Sequence, residues 1–78
     1  LGEIRKSFPV VVANLTTETI IDLASGLERK VGPRGFLILS GILQPKAKDV
    51  TGCFFSKGFT LAGRREEREW VTLLLQRK

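Results

Sequence analysis

Residues 8–18 read Phe8-Pro9-Val10-Val11-Val12-Ala13-Asn14-Leu15-Thr16-Thr17-Glu18. An unbroken β-branched run entered through a proline predicts a strand. With no polar residue alternating through Val10, Val11 and Val12, it predicts burial on both faces, as for parallel strands flanked by helices. Proline is tolerated among the first residues of a strand. The polar residues after Ala13 end the strand and open a helix. From Thr17 onward Ile20, Leu23, Ala24, Leu27 and Val31 recur at helical spacing, and Gly32 with Pro33 supplies the stop. One amphipathic helix of about four turns is therefore predicted after the strand.

Downstream, Phe36-Leu37-Ile38-Leu39 is a second continuous apolar run, bounded by Gly35 and by Ser40-Gly41 and too short for an independent helix. It predicts a second buried strand. Pro45 suits a first helical turn, Ala47, Val50 and Phe54 share one face, and Gly58 sits where a left-handed cap belongs. Gly52 weakens that helix by about 1 kcal/mol relative to alanine. Phe59-Thr60-Leu61-Ala62-Gly63 alternates, as an edge strand does, and Trp70-Val71-Thr72-Leu73-Leu74-Leu75 reads as a more apolar interior strand. A charged hairpin around Arg65 to Arg68 would pair them antiparallel. The class is α/β, in the order β-α-β-α-β-β with a terminal antiparallel hairpin, which is half of a doubly wound sheet. The strand at Phe8 has interior composition but no β-α unit before it. Its free side is expected to be filled by a missing N-terminal half, or by a second copy of this chain along Val10 to Ala13.

The 78 residues allow one small domain, so 1–78 is read as a single partial domain. With 42% hydrophobic and 27% charged residues the composition is that of a globular chain, and no apolar run approaches the roughly 20 residues that span a bilayer. One cysteine and no histidine argue against a disulfide scaffold, a zinc site and a catalytic triad, and no metal is expected. The formal charge of +5, from thirteen Lys and Arg against eight Asp and Glu, favours anionic partners. Yet the basic residues are scattered from Arg5 to Lys78, Glu66, Glu67 and Glu69 interrupt the densest cluster, and no aromatic residues interleave with it. A solvated surface with weak nucleic-acid binding at most is the reading. Leu1-Gly2-Glu3-Ile4-Arg5-Lys6 carries no apolar core of secretory length and does not begin with methionine. The expectation is a cytoplasmic protein of which this chain is a piece.

In parallel sheets ligands bind beyond the carboxyl ends of the strands. Two polar strand ends therefore matter: Asn14-Leu15-Thr16-Thr17-Glu18 and Ser40-Gly41-Ile42-Leu43. Asn14 offers a carboxamide that can orient an amine or hydroxyl without changing charge. On the residue types alone the plainer reading is favoured, in which Asn14 or a following threonine only caps the helix. Glu18 in the first turn suits the helix dipole. Ser40 has no histidine to activate it, so it reads as a turn or a ligand contact. Gly32-Pro33-Arg34-Gly35 follows a helix and precedes a strand, the wrong order for a phosphate loop, and reads as a connection. Trp70 is expected in the core, and Cys53 is a small apolar helical residue.

Taken together, Phe8 to Leu15, Glu18, Gly32 to Leu43, Lys57 to Phe59 and Arg65 to Lys78 resemble the C-terminal half of the ribosomal protein methyltransferase family. Those enzymes use S-adenosylmethionine to methylate amino groups of large-subunit ribosomal protein eleven. The resemblance implies a Rossmann-like sheet of seven strands whose last three adjoin as an antiparallel insertion. It places Asn14 at the end of the fourth strand, at the methyl-donor and acceptor site. Asn14 and Leu15 are then the catalytic candidates, with Asn14 also touching the cofactor. An asparagine oxygen and the backbone carbonyl of Leu15 would accept the amine's hydrogens and aim its lone pair. Related nucleobase methyltransferases place prolines and an aromatic at this strand end, whereas Asn14-Leu15-Thr16-Thr17 has neither, which points to a protein amine. Pro9 in place of an aspartate and Arg34 in place of a glycine depart from the family pattern. The family's glycine-rich cofactor loop, ribose-binding acid and substrate-recognition domain have no counterpart among these residues, so the chain by itself is expected to be inactive and to bind S-adenosylmethionine weakly. The alternative is a small basic α/β module that binds RNA or a ribosome without catalysis.

Overall fold

The structure, a computed structural model, describes residues 7–78. Residues 1–6, on which the reading of the leader and of Arg5 rests, lie outside the described part. Strand β1 (Phe8–Asn14) leads through helices α1 (Thr17–Asp22) and α2 (Ala24–Lys30) to the long strand β2 (Val31–Leu43). A 3-10 turn at Gln44–Lys46 opens α3 (Ala47–Phe55), and β3 (Phe59–Glu67) and β4 (Trp70–Arg77) follow. The four strands form one sheet in the order β1-β2-β4-β3. β1 is parallel to β2, and the β2–β4 and β3–β4 pairs are antiparallel. Both interior strands are apolar runs, and the outer strand β3 exposes Arg64, Arg65, Glu66 and Glu67, charges that discourage further pairing along its rim.

All three helices supply the same core. Ala13, Leu37, Leu39, Ile42, Val71, Leu73 and Leu75 of the sheet are buried together with Ile20, Ala24, Ala47, Val50 and Phe54. The alternate residues of the same strands have no such cover. Val12 lies opposite Ile38, which lies opposite Leu74, and Val10 lies opposite Phe36. Along this second face Val10 is 49% and Val12 65% exposed. The expectation that β1 is buried on both faces is therefore corrected: in this chain one face is dry, the other open, and β1 is an edge.

The single predicted helix is two. Leu23, at φ −97° and ψ 7°, interrupts it, and its side chain is half exposed instead of joining the buried stripe. Ser25 and Gly26, weak helix formers, follow directly, so α2 is held by the packing of Ala24 and Leu27. Val31, predicted as the helix's last apolar position, is already extended and pairs with Phe8. The predicted connection at Gly32-Pro33-Arg34-Gly35 is a bulge inside β2. Pairing resumes at Val10 with Phe36, so Pro9 alone faces four residues. Proline has no N–H to offer the ladder, and the irregularity sits where no donor is lost. Gly35 is required there, because a Cβ would lie 2.9 Å from the Gly32 carbonyl oxygen and 3.0 Å from that of Pro9.

The end of β4 is fastened across the core. Arg77 donates through Nε to the Val31 carbonyl at 3.0 Å, and through Nη2 to the Glu28 carbonyl and, at 2.9 Å, to its carboxylate. The guanidinium also stands 5.2 Å above the Phe59 ring, which meets Phe54 edge to face at 5.7 Å. One side chain thus ties β4 to α2, β2 and β3.

Arg34 occupies the left-handed region at φ 62°, where an L side chain is strained. Its carbonyl accepts from Gln76 Nε2 at 3.0 Å, a bond that does not need the arginine side chain. Arg34→Gly is expected to raise stability by about 0.5–1 kcal/mol, relief of strain outweighing glycine's greater unfolded-state freedom. Urea titration of the two proteins measures it; an unchanged or lower midpoint would contradict the strain argument.

Candidate functional site

β1 runs parallel to β2 and ends at Asn14, paired to Ser40, while β2 continues to Leu43. Just beyond this pair β2 is bulged at Gly41, at φ 82°, where its register against β4 shifts between Leu39 and Ile42. A Cβ on Gly41 would fall 2.9 Å from Asn14 Oδ1 and 3.3 Å from the Leu15 carbonyl oxygen. Only glycine admits this approach, and it brings both acceptors to one flank of the strand end. The register thus juxtaposes two oxygens that sequence reasoning linked only through a resemblance. Sequence reasoning named the Ser40-Gly41-Ile42-Leu43 stretch but gave Gly41 no role of its own; its signal was a lone glycine within an otherwise apolar strand.

The cap of α1 falls to Thr16. Its Oγ1 accepts from the Thr19 N–H at 3.2 Å and lies 2.8 Å from the Thr19 hydroxyl. Among the described residues the Asn14 carboxamide is bound neither to this helix nor to any other partner, and it is exposed. The choice between cap and free carboxamide left open by the sequence is thereby resolved: Thr16 caps.

Asn14, Leu15, Thr16, Thr19, Gly41 and Trp70 line a hollow of about 440 Å³. A smaller one of about 160 Å³, lined by Thr16, Thr17, Glu18, Gly41, Leu43 and Trp70, adjoins it. Trp70, expected in the core, is 47% exposed and forms a wall of both. The cause is strand parity. Val71, Leu73 and Leu75 point into the core, and Trp70 takes the alternate face at the hairpin end of β4. A strict period-two reading of residues 70–75 would have found it.

At the rim, Lys46 Nζ donates to Glu18 Oε2 at 2.6 Å, joining α1 to the turn before α3. The Lys46 hydrogen bond, then a backbone hydrogen bond, then the Lys46 charge hold the Glu18 carboxyl below its usual range, and the same ion pair raises Lys46. Both groups are on the surface, so the pair sets local charge and adds little stability. Its contribution is full above the ordinary carboxylate range and fades as pH falls through the depressed Glu18 value.

The remaining candidates stand apart. Ser40 is half-buried beside Asn14 and lines neither hollow. Cys53 packs against the core from α3. In the basic stretch, Arg64 is ion-paired with Glu66 at 2.9 Å, and Glu66 also accepts from Gln44 Nε2 at 2.7 Å. Among the described residues no three His, Cys, Asp or Glu converge, and no helix is long and apolar enough to cross a membrane.

The fold is therefore mixed α/β, with a four-stranded sheet and an open hollow beside the end of β1, with Asn14 and Trp70 in its lining. The chain belongs to the ribosomal protein L11 methyltransferase (PrmA) family, whose model matches residues 2–78. It is 46% identical over 76 residues to the ribosomal protein L11 methyltransferase of Geobacter metallireducens, covering 97% of this chain and 25% of that protein. With its counterpart in Thermotoga neapolitana it shares 39% over 77 residues, covering 99% of this chain and 29% of that one. The chain thus spans between a quarter and a third of these relatives' length. In fold it matches the crystal structure of a ribosomal protein L11 methylase from Lactobacillus delbrueckii subsp. bulgaricus, with TM-score 0.87 at 24% identity over 97% of this chain and 39% of that one.

Gly41→Ala tests the geometry of the strand end. It is expected to cost about 1–2 kcal/mol for a side chain in the left-handed region. It should also displace the Asn14 carboxamide, shifting its side-chain NH2 resonances in 1H–15N spectra. Unmoved Asn14 resonances would show that the two residues do not touch.

Proposed function

We propose that residues 1–78 are a single partial domain, the C-terminal half of the Rossmann-like catalytic domain of an S-adenosylmethionine-dependent protein N-methyltransferase. The substrate is an amino group of a large-subunit ribosomal protein, and the protein acts in the cytoplasm. Family membership supports the reaction class. The observation that carries the site is the convergence of Asn14 Oδ1 and the Leu15 carbonyl at Gly41, with helix capping delegated to Thr16.

When bound, S-adenosylmethionine supplies an electrophilic methyl group on a sulfonium leaving group. The demand on this chain is then alignment. Two acceptors take the hydrogens of a neutral amine, and its lone pair is left pointing away from them, toward the methyl carbon. Asn14 and the Leu15 carbonyl would hold the amine while its lone pair was accepted at the cofactor's methyl group, and the proton released from nitrogen would pass to water. No group here needs to act as a strong base, which suits a site built from a carboxamide, a carbonyl and threonine hydroxyls. The same residues fit only part of the cofactor. The larger hollow is lined by no carboxylate to hold ribose hydroxyls, and Gly41 is its sole glycine. This chain therefore supplies one wall of the cofactor site, with Asn14 at the methyl end.

The open edge of β1 and the bare face at Val10 and Val12 suit the remainder of the domain, or a second copy of this chain, pairing along Val10 to Ala13. The isolated 78-residue chain is accordingly expected to associate and to bind S-adenosylmethionine no better than weakly. Light scattering, hydrogen exchange and calorimetry check this together. A monomer with fast-exchanging Val10–Ala13 amides, or micromolar cofactor binding, would count against it.

In the full-length protein, Asn14→Ala is expected to lower the methylation rate by about 10- to 100-fold while cofactor affinity changes much less, because alignment acts in the transition state. Equal losses in both, or none, would remove Asn14 from the reaction.

A further inference from the structure

Along the sequence the basic residues are dispersed, and no aromatic interleaves with their densest cluster. Folding brings Arg29, Lys30, Arg34, Lys57, Arg77 and Lys78 to the end of the sheet opposite Asn14. Lys30 leads into Val31, which pairs with Phe8 at the start of β1, and Arg77 pairs with Phe59 at the start of β3. Gln76 holds the Arg34 carbonyl, and the Lys78 N–H donates to the Gly58 carbonyl at 2.9 Å. Lys57 Nζ donates to the Ser25 hydroxyl and Arg29 Nε to the Ser25 carbonyl, each at 3.3 Å. Among the described residues the carboxylate at this end is Glu28, and Arg77 satisfies it. None of their carboxylates pairs with the other five cations, so the field there is uncompensated.

Beside these cations lies a hollow of about 410 Å³, lined by Phe55, Phe59, Thr60, Leu61 and Lys78. Phe59 is buried beneath Arg77, so the aromatic surface open to a ligand is that of Phe55, 48% exposed at the end of α3. The hollow sits on the β3 rim, whereas the rest of the domain is placed along β1, at the other edge of the sheet. We propose that this end of the molecule binds single-stranded RNA, an unpaired base stacking on Phe55 in the hollow while Lys57, Lys78 and Arg29 hold neighbouring phosphates. Every base offers a π-face whatever its identity, so one aromatic among uncompensated cations suffices for binding that is indifferent to sequence. Insertion into a bilayer calls for an apolar face that projects, and Phe55 instead lines a concavity. The choice of RNA over DNA rests on the reading that the substrate is a ribosomal protein. Because Asn14 stands at the far end of the sheet, this surface is occupied without obstructing the strand-end hollow.

Fluorescence anisotropy of a labelled oligouridylate with the full-length protein, titrated over a series of salt concentrations, tests this. The wild type is expected to bind, with affinity falling steeply as salt rises. Phe55→Ala weakens binding by about 5- to 100-fold with the salt slope unchanged, and Phe55→Trp restores it, as loss and return of one stacked base require. The pair Lys57→Ala and Lys78→Ala instead lowers the slope of log K against log salt by about 1.4, for two phosphate contacts removed. Absence of RNA binding, affinity indifferent to Phe55, or equal affinity for a duplex RNA overturns the proposal. So does a preference for oligothymidylate or for phosphatidylserine vesicles over the oligouridylate. Should the protein bind RNA through Phe55 and yet methylate no ribosomal protein, the methyltransferase reading fails and this surface stands.

Discussion

Val10, Val11, Val12 and Ala13 lie against Phe36, Leu37, Ile38 and Leu39 in parallel register, and side chains along a strand alternate with a period of two. A slip of β1 by one residue would turn Val11 and Ala13 away from the core and drive Val10 and Val12 into it. It would also part Asn14 from Ser40, and with that separate the carboxamide from Gly41. The sheet's dry face and the arrangement of the strand end therefore depend on one pairing. The bulge opposite Pro9 fixes where that pairing begins, and a glycine at 35 makes the bulge possible. Across β2 the antiparallel partner β4 is held by its own lock, the Arg77 guanidinium spanning Glu28, Val31 and Phe59.

The division of labour at the end of β1 follows from the same geometry. Asn14, Thr16 and Thr17 could each cap a helix, and a reading of residue types alone gives asparagine the better claim. Distance decides otherwise. Thr16 is placed to receive the Thr19 N–H, while Asn14, still within the strand, belongs to the sheet's open face. A residue spared a structural duty is free for another, and this inference stands on hydrogen bonding before any family is invoked.

How much of this was legible beforehand depended on which physical signal each residue carried. The apolar runs at Phe36 and at Trp70 announced strands because continuous β-formers have few other uses in so short a space. The positions of Asn14 and Ser40 at strand ends followed from polarity switching abruptly after apolar runs. Burial was harder. A valine run looks the same whether its second face is covered within this chain or by something else, so the openness of Val10 and Val12 had no local signature. Trp70 was misplaced for a related reason: hydrophobicity was read without phase, and the largest side chain in the strand was assigned inward by size. The break at Leu23 was hidden because its spacing fits the helical stripe and only its exposure reveals that it points away. The closeness of Gly41 to Asn14 is a tertiary contact that no window of sequence contains.

Chain order and sheet order disagree in one respect that bears on how the molecule is made. β3 precedes β4 along the chain, but β4 lies between β3 and β2, and among the described residues no other strand pairs with β3. During synthesis from the N-terminus, β1 and β2 can pair as soon as both have emerged, whereas β3 waits with unsatisfied backbone groups until residues 70–77 have been added. Its run of charges, Arg64, Arg65, Glu66 and Glu67, uninteresting as a binding surface, keeps an unpaired strand soluble during that wait. Only then does Arg77 arrive to fasten sheet to helix, so the step that completes the hydrogen-bonded ladder also closes the core.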